Sequence, residues 1–98
     1  MGWTIYDEAI EMVERRHECF PRVFRWQGHR YHVHTVAKCW SRLRRGWWPV
    51  ERHFFLVLCD EGRFEIYQDA QSNTWHLRRA KLHSSRVAAV GNAAVVWR

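Results

Sequence analysis

Apolar and polar side chains alternate along the centre of the chain. Tyr31, Val33 and Thr35 fall on one face of the segment 29–36. Arg30, His32 and His34 fall on the other face and form a row of basic and imidazole groups. A period of two is typical of a strand with one packed and one exposed face. This strand is predicted to form a hairpin with the preceding run 22–26, because Gln27-Gly28 separates the two.

Three further runs, 53–59, 63–67 and 74–79, predict an antiparallel meander. The first is apolar on both faces, which is typical of a central strand. Turn-forming residues separate the runs. The second and third runs alternate, and their predicted packed side carries Phe64, Ile66, Trp75 and Leu77.

Two segments have a less regular pattern. In the segment 36–45, Val36, Trp40 and Leu43 recur at helical spacing, so the pattern predicts a short helical crossover. The first 16 residues fit two structures equally well. One is a helix with a stripe of apolar side chains, and the other is a strand that runs into the bend at Phe20-Pro21.

Together these elements predict a β-rich α+β fold in one small domain, residues 1–98. We expect a bent antiparallel sheet or a partly open barrel of five to six strands, with the short helical crossover. A chain of 98 residues supports one core and only a shallow site. The 47% hydrophobic share is too high for a disordered chain.

The charge balance favours a polyanionic partner. Lys and Arg number 16 and Asp and Glu number 10, so 16 − 10 gives a net charge of +6. Solubility alone also explains a charge of about this size. The candidate contact residues are the basic and aromatic side chains Arg25, His29, Arg30, His32, His34, Arg44, Arg45, Trp47, Trp48, His76, Arg78 and Arg79.

The seven tryptophans are expected to divide between core and surface. Trp26, Trp40 and Trp75 fall on the predicted packed side. Trp47 and Trp48 are adjacent, and two adjacent rings of an extended segment cannot both point inward. At least one of this pair is therefore predicted to be exposed, where it can stack on a base.

No catalytic residue, metal or cofactor is predicted. Cys19, Cys39 and Cys59 form no C-x-x-C pair, and Cys59 ends an apolar run, so we expect it to be a small buried side chain. Glu61 and Glu65 flank a turn and are expected to be solvated charges.

The sequence pattern does not predict a metal site at the histidines. His32 and His34 share a strand face with the spacing of paired ligands, and His29 is close in sequence. No carboxylate or paired cysteine is placed near them by sequence, so we expect surface histidines.

The sequence predicts a cytoplasmic protein without a membrane partner. Its longest uncharged stretch, 87–97, is much shorter than the ~20 residues of a membrane span. The acidic N-terminal segment lacks the pattern of a secretory signal.

An ordered series of motifs extends over most of the chain. It consists of the segments 24–33, 46–48, 54–57, 64–69 and 74–77 together with Trp40. This series resembles the DUF6504 family of small bacterial proteins of unknown function. Related modules are similar to the C-terminal part of Y-family-polymerase-like mutagenesis proteins. The resemblance covers about residues 9–82, with 84–98 as a C-terminal extension.

The resemblance implies a compact β-rich module and favours a strand at the N-terminus. It also implies a setting in DNA repair, and it supplies no catalytic residues. His29 departs from the arginine that is more usual in the family, which removes one permanent charge.

The predicted function is that of a non-catalytic binding module associated with nucleic acid or DNA repair. Its expected partner is single-stranded nucleic acid or a repair protein. The alternative is a protein-interaction or homo-oligomerisation module with a Trp-rich surface. Self-association would use an edge strand or the uncharged residues 87–98.

Overall fold

A computed structural model describes residues 2–17 and 20–83 of the protein. Six antiparallel strands form a closed barrel in sequence order, and the last strand pairs with the first. This confirms the β-rich single domain. The strands are β1 (Thr4–Arg16), β2 (Phe20–Trp26), β3 (His29–Arg44), β4 (Val50–Cys59), β5 (Gly62–Asp69) and β6 (Thr74–Leu82).

The predicted helical crossover over residues 36–45 is wrong. β3 continues to Arg44 and pairs with β4 from Val36 opposite Val57 to Arg44 opposite Val50. None of the described residues is helical, so the α component of the predicted α+β class is absent from this part of the chain.

Two register irregularities in β3 explain the misleading spacing. They lie between Val33 and Thr35 and between Val36 and Lys38. Each irregularity changes which residues face inward. Val36, and not Thr35, therefore packs against the core, whereas Trp40 lies on the outer face opposite Phe54.

The N-terminal segment is a strand, as the family resemblance implies. The first half of β1 pairs with β6 and the second half pairs with β2, so one bent strand closes the ring. A bulge occurs where Asp7 has a φ of 54°. Near the bend, Nε1 of the buried Trp26 donates a hydrogen bond to Oε1 of Glu8 at 2.8 Å.

The interior of the barrel is filled mainly by aromatic and branched side chains. Phe24, Phe64, Ile66, Leu77 and Val57 are the largest fully buried side chains. The predicted packed positions on β5 and β6 are thus confirmed, and Trp26 and Trp75 are also in the core.

The barrel is elongated, with extents of 51 × 28 × 23 Å. Its longest hairpin consists of β3 and β4, and the loop 45–49 at the tip of this hairpin carries three of the candidate residues, Arg45, Trp47 and Trp48. No helix in the described part of the chain could span a membrane. The predicted extension 84–98, with the proposed self-association segment 87–98, lies outside the described residues.

Candidate functional site

A row of aromatic side chains crosses the outer face of the barrel. Trp40, Phe54, Tyr67 and His76 are successive cross-strand partners on β3, β4, β5 and β6. Their neighbouring ring centroids are 5.3, 5.3 and 4.9 Å apart. Phe54 and Tyr67 are only 7% and 5% exposed. The outer face therefore has its own small apolar layer.

A basic cavity of about 530 Å³ lies beside this row, and we call it the arginine cleft. The β3–β4 hairpin supplies most of its wall, and β5 and β6 supply the rest. The lining residues are Trp40, Arg42, Leu43, Arg44, Val50, Arg52, Phe54, Glu65, Arg78 and Arg79. Five guanidinium groups and one carboxylate give 5 − 1 = +4 around a single cavity.

Glu65 is a buried acceptor for two of these arginines. Nη1 of Arg78 and Nε of Arg79 donate to its two carboxylate oxygens at 2.7 and 2.9 Å. Its side chain is 4% exposed, so the expectation of a solvated Glu65 is wrong. The register shift at this point pairs Glu65 with Arg79 and Ile66 with Leu77, which leaves Arg78 as the extra residue of a bulge. Both arginines can therefore reach one carboxylate.

The other arginines of the cleft are not neutralised in this way. Arg42, Arg44 and Arg52 form no ion pair within residues 2–17 and 20–83. The guanidinium carbon of Arg52 lies 4.7 Å from the ring centre of Tyr67. Nε of Arg52 is buried, and none of the described residues accepts its hydrogen bond. The cleft thus contains several donors without a protein acceptor.

The ring of Tyr67 packs against the guanidinium group of Arg52. Burial raises the pKa of the Tyr67 hydroxyl, and the nearby Arg52 charge partly opposes this effect. The hydroxyl donates a hydrogen bond to Oδ1 of Asp7 at 3.4 Å. The neutral phenol therefore presents its ring to the Arg52 guanidinium as a cation–π partner.

Both tryptophans of the loop 45–49 are exposed, which confirms that at least one of them is at the surface. Trp47 is 98% exposed and Trp48 is 65% exposed. The Trp48 indole is held by a hydrogen bond from its Nε1 to Oε1 of Gln71 at 3.1 Å. Leu43, at the same end of the hairpin, is 54% exposed. Leu43, Trp47 and Trp48 therefore form an exposed apolar surface next to the arginine cleft, and we call it the tryptophan tip.

The structure brings together about half of the candidate contact residues. Arg44, Arg78 and Arg79 line the cleft. Arg45, Trp47 and Trp48 lie within four positions after Arg44 in the chain. His76 is near the cleft as the last member of the aromatic row, where its ring stacks on Tyr67.

The remaining candidates lie on the β2–β3 hairpin, at the other end of β3. These are Arg25, His29, Arg30, His32 and His34. Arg30 and Arg44 are 14 positions apart in one strand, which corresponds to about 46 Å along it at ~3.3 Å per residue. Arg25 is opposite Arg30 and lies 3.7 Å from a carboxylate oxygen of Glu11. The candidates therefore form two separate surfaces.

Two of the histidines lie within hydrogen-bond distance of carboxylates, although no carboxylate was predicted near them from the sequence. Nε2 of His29 is 3.0 Å from Oε2 of Glu61, and Nε2 of His34 is 2.7 Å from Oδ1 of Asp60. Both carboxylates belong to the turn between β4 and β5. Among the described residues, no group of three or more His, Cys, Asp or Glu side chains could hold a metal ion.

Two of the three cysteines, Cys39 and Cys59, lie in the described ranges. Cys59 is buried, as predicted, and burial with the nearby Glu61 and Asp60 charges raises the pKa of its thiol to about 12. Cys39 is exposed on β3. Cys19 lies outside the described residues.

Only three of the ten cleft residues, Arg44, Arg78 and Arg79, were candidates from the sequence, and four of the seven missed residues carry the argument for the site. Arg42 and Trp40 were assigned to the crossover, Arg52 was not considered, and Glu65 was assigned to solvent. The alternation of Trp40, Arg42 and Arg44 at every second position was the signal that could have shown an extended strand with one basic face.

Comparisons of the chain with protein-family models, curated proteins and solved structures found no match.

Proposed function

We propose that this protein is a non-catalytic module that binds single-stranded nucleic acid at the arginine cleft and the adjacent tryptophan tip. The observation that carries the proposal is the convergence of five arginines with a single carboxylate on one cavity. Neutralisation of phosphates by such groups releases counterions, which is the main source of affinity for nucleic acid.

The aromatic side chains distinguish this surface from a general anion site. Proteins that bind single strands combine cations along the backbone with exposed rings on which bases stack. Trp47 and Trp48 are such rings, and only Gly46 separates them from Arg44 and Arg45 in the chain. Each stacked base contributes about 1–3 kcal/mol. Charge and stacking are thus available at one end of the molecule.

The setting in DNA repair is proposed from the family resemblance alone. We infer a relationship to the DUF6504 family from the ordered motifs between residues 9 and 82. In that setting the single strand would be exposed during repair, and a repair protein would be a second partner.

A titration with a single-stranded oligonucleotide tests the proposal. Tryptophan fluorescence is followed at several salt concentrations, because Trp47 and Trp48 are exposed near the cleft. If three to five phosphates are neutralised, the log–log salt slope is expected near −2 to −4, at ~0.7 per phosphate. Absence of binding to DNA and RNA at low salt would overturn the proposal.

The exposed tip supports a second candidate function, which is protein interaction or homo-oligomerisation. Trp47, Trp48 and Leu43 are large apolar side chains that water contacts in the single chain. Self-association through the tip predicts that the sedimentation coefficient rises with protein concentration and that Trp47→Ala removes this rise. Monomeric behaviour of the full chain at high concentration excludes the homo-oligomer.

A further inference from the structure

We propose that the arginine cleft recognises the phosphorylated end of a strand, that is, a terminal phosphate monoester. This inference rests on the proposed function, because it assumes that a strand binds at this surface. It specifies which chemical group of the strand occupies the cavity.

Positive charge is concentrated in the arginine cleft, where five arginines and one carboxylate line a single cavity. All five guanidinium groups line one cavity of about 530 Å³. Each internal diester carries one negative charge, whereas a monoester carries about −1.5 to −2 at neutral pH. The lining charge of +4 is therefore better matched by a terminal monoester.

Two of the arginines are fixed in place before any ligand binds. Glu65 accepts one hydrogen bond from Arg78 and one from Arg79, and its side chain is 4% exposed. A guanidinium group has five N–H donors, so each arginine keeps donors for a second acceptor. Glu65 is therefore a positioning residue that reduces the cost of ordering two long side chains.

Three more cations have no competing partner in the described structure. Arg42 and Arg44 are exposed and form no ion pair. Arg52 is held against the Tyr67 ring and has a buried Nε without an acceptor. Arginine forks bind the oxygens of a phosphate in pairs, and a monoester offers three such oxygens.

The neighbouring aromatic surfaces favour a strand over a free nucleotide. Trp40 is half-buried at the cleft, where it stacks on Phe54 with ring planes 7° apart. Trp47 and Trp48 lie beyond the cleft on the loop 45–49. A mononucleotide in the cavity would leave these two rings without a base, whereas a strand that begins there continues toward them.

Fluorescence anisotropy of four labelled oligonucleotides of one sequence tests the inference. One pair carries a 5′-phosphate or a 5′-hydroxyl with the dye at the 3′ end. The other pair carries a 3′-phosphate or a 3′-hydroxyl with the dye at the 5′ end. We expect one of the phosphorylated ends to lower Kd about tenfold relative to its hydroxyl partner.

Two variants distinguish binding of the phosphate at the cleft from general electrostatic attraction. Arg42→Ala removes a cleft cation, and Arg25→Ala removes an equal charge on β2 outside the cleft. The tenfold preference should shrink to threefold or less in Arg42→Ala and persist in Arg25→Ala. An equal loss in both variants would overturn the inference.

This experiment distinguishes failure of the end recognition from failure of the proposed function. Equal binding of all four oligonucleotides overturns the end recognition and leaves the nucleic-acid module intact. Absence of binding to any of them overturns both. AMP as a competitor identifies the source of the phosphate. If AMP displaces the strand at a concentration near the strand's own Kd, the cleft is a nucleotide site and the strand end is not its ligand.

Discussion

Nη1 of Arg78 donates a hydrogen bond to Oε2 of Glu65 at 2.7 Å, at a position where strand alternation predicts a water-facing carboxylate. Phe64 and Ile66 on either side fill the barrel interior, so Glu65 is on the outer face. It is nevertheless only 3% exposed, because Arg78 and Arg79 cover it. The outer face is therefore an ordered surface with its own buried polar group.

Glu65→Gln should lower the free energy of unfolding by about 2 kcal/mol, because a buried acceptor of two charged donors becomes neutral. The arginines are partly solvated, which keeps the loss below that of a fully buried pair. Urea denaturation measures it. The control is Glu14→Gln, since Glu14 pairs with Arg22 at 3.1 Å while both side chains are about half exposed. The control should lose about 0.5 kcal/mol or less. Equal losses would contradict the structural role of Glu65.

Gly62→Ala should destabilise the protein more than Gly28→Ala. Both glycines have positive φ, 150° and 77°, so alanine is strained at each by about 1–2 kcal/mol. A Cβ at Gly62 would also lie 2.8 Å from Cα of Leu82 and overlap the carbonyl of Lys81, whereas Gly28 has open space around it. We expect a further ~1–3 kcal/mol at Gly62. Thermal unfolding of the two variants checks this order, and a larger loss at Gly28 would contradict the close approach of β5 and β6.

Cys59 should react with a thiol reagent only after unfolding. Burial raises the pKa of its thiol to about 12, so at pH 8 only about one thiol in ten thousand is ionised. In a Cys19→Ser background, we expect one thiol per chain, the exposed Cys39, to react in buffer and a second to react in denaturant. Cys39→Ser should abolish the reaction in buffer. Rapid labelling of Cys59 in the folded protein would contradict its place in the core.

Asp69 should stabilise the turn after β5 in a pH-dependent manner. The backbone N–H groups of Ser72 and Gln71 donate to its carboxylate at 3.2 and 3.0 Å. The Ser72 group is the larger cause that holds the pKa of Asp69 below its ordinary 3.8. A lowered pKa means that the stabilisation is present above pH 3.8 and is lost as the pH falls through the lowered value.

The comparison of wild type with Asp69→Asn measures this contribution. The difference in unfolding free energy should be constant from pH 7 to about pH 5 and should disappear in strong acid. A difference that grows on acidification would mean that the charged carboxylate is not the favoured state of the turn.

The strands of the meander were predictable because their pattern is local. Phe64, Ile66, Trp75 and Leu77 alternate without interruption, and all four are buried. Turn residues such as Asp60 mark where these strands end. Sequence periodicity is sufficient where one face packs and no bulge intervenes.

The extent of β3 was not predictable from the same pattern. Its two irregularities place Val36 inside and Trp40 outside, although their spacing would put both on one face of a helix or of a regular strand. Only the pairing with β4 decides between these structures. A local pattern does not contain this long-range information.

The candidate site was predictable in its residue types more than in its geometry. Arg44, Arg78 and Arg79 were included because they are basic, but Arg30 was included on the same ground and is at the other end of β3. Glu65 and Arg52 belong to the cleft through a bulge in β6 and through stacking on Tyr67. Both features depend on tertiary structure, which composition cannot show.

The most direct test of the arginine cleft compares two variants that lose the same charge. Arg42→Ala/Arg44→Ala removes two exposed cations of the cleft, and Arg25→Ala/Arg30→Ala removes two exposed cations, one on β2 and its partner at the far end of β3. Single-strand affinity is measured for both at several salt concentrations, after unfolding curves show that both are folded. We predict that the cleft variant binds at least tenfold more weakly with a salt slope reduced by about 1.4, and that the other variant changes less than twofold. Equal losses in the two variants would show that net charge, and not the arginine cleft, determines binding.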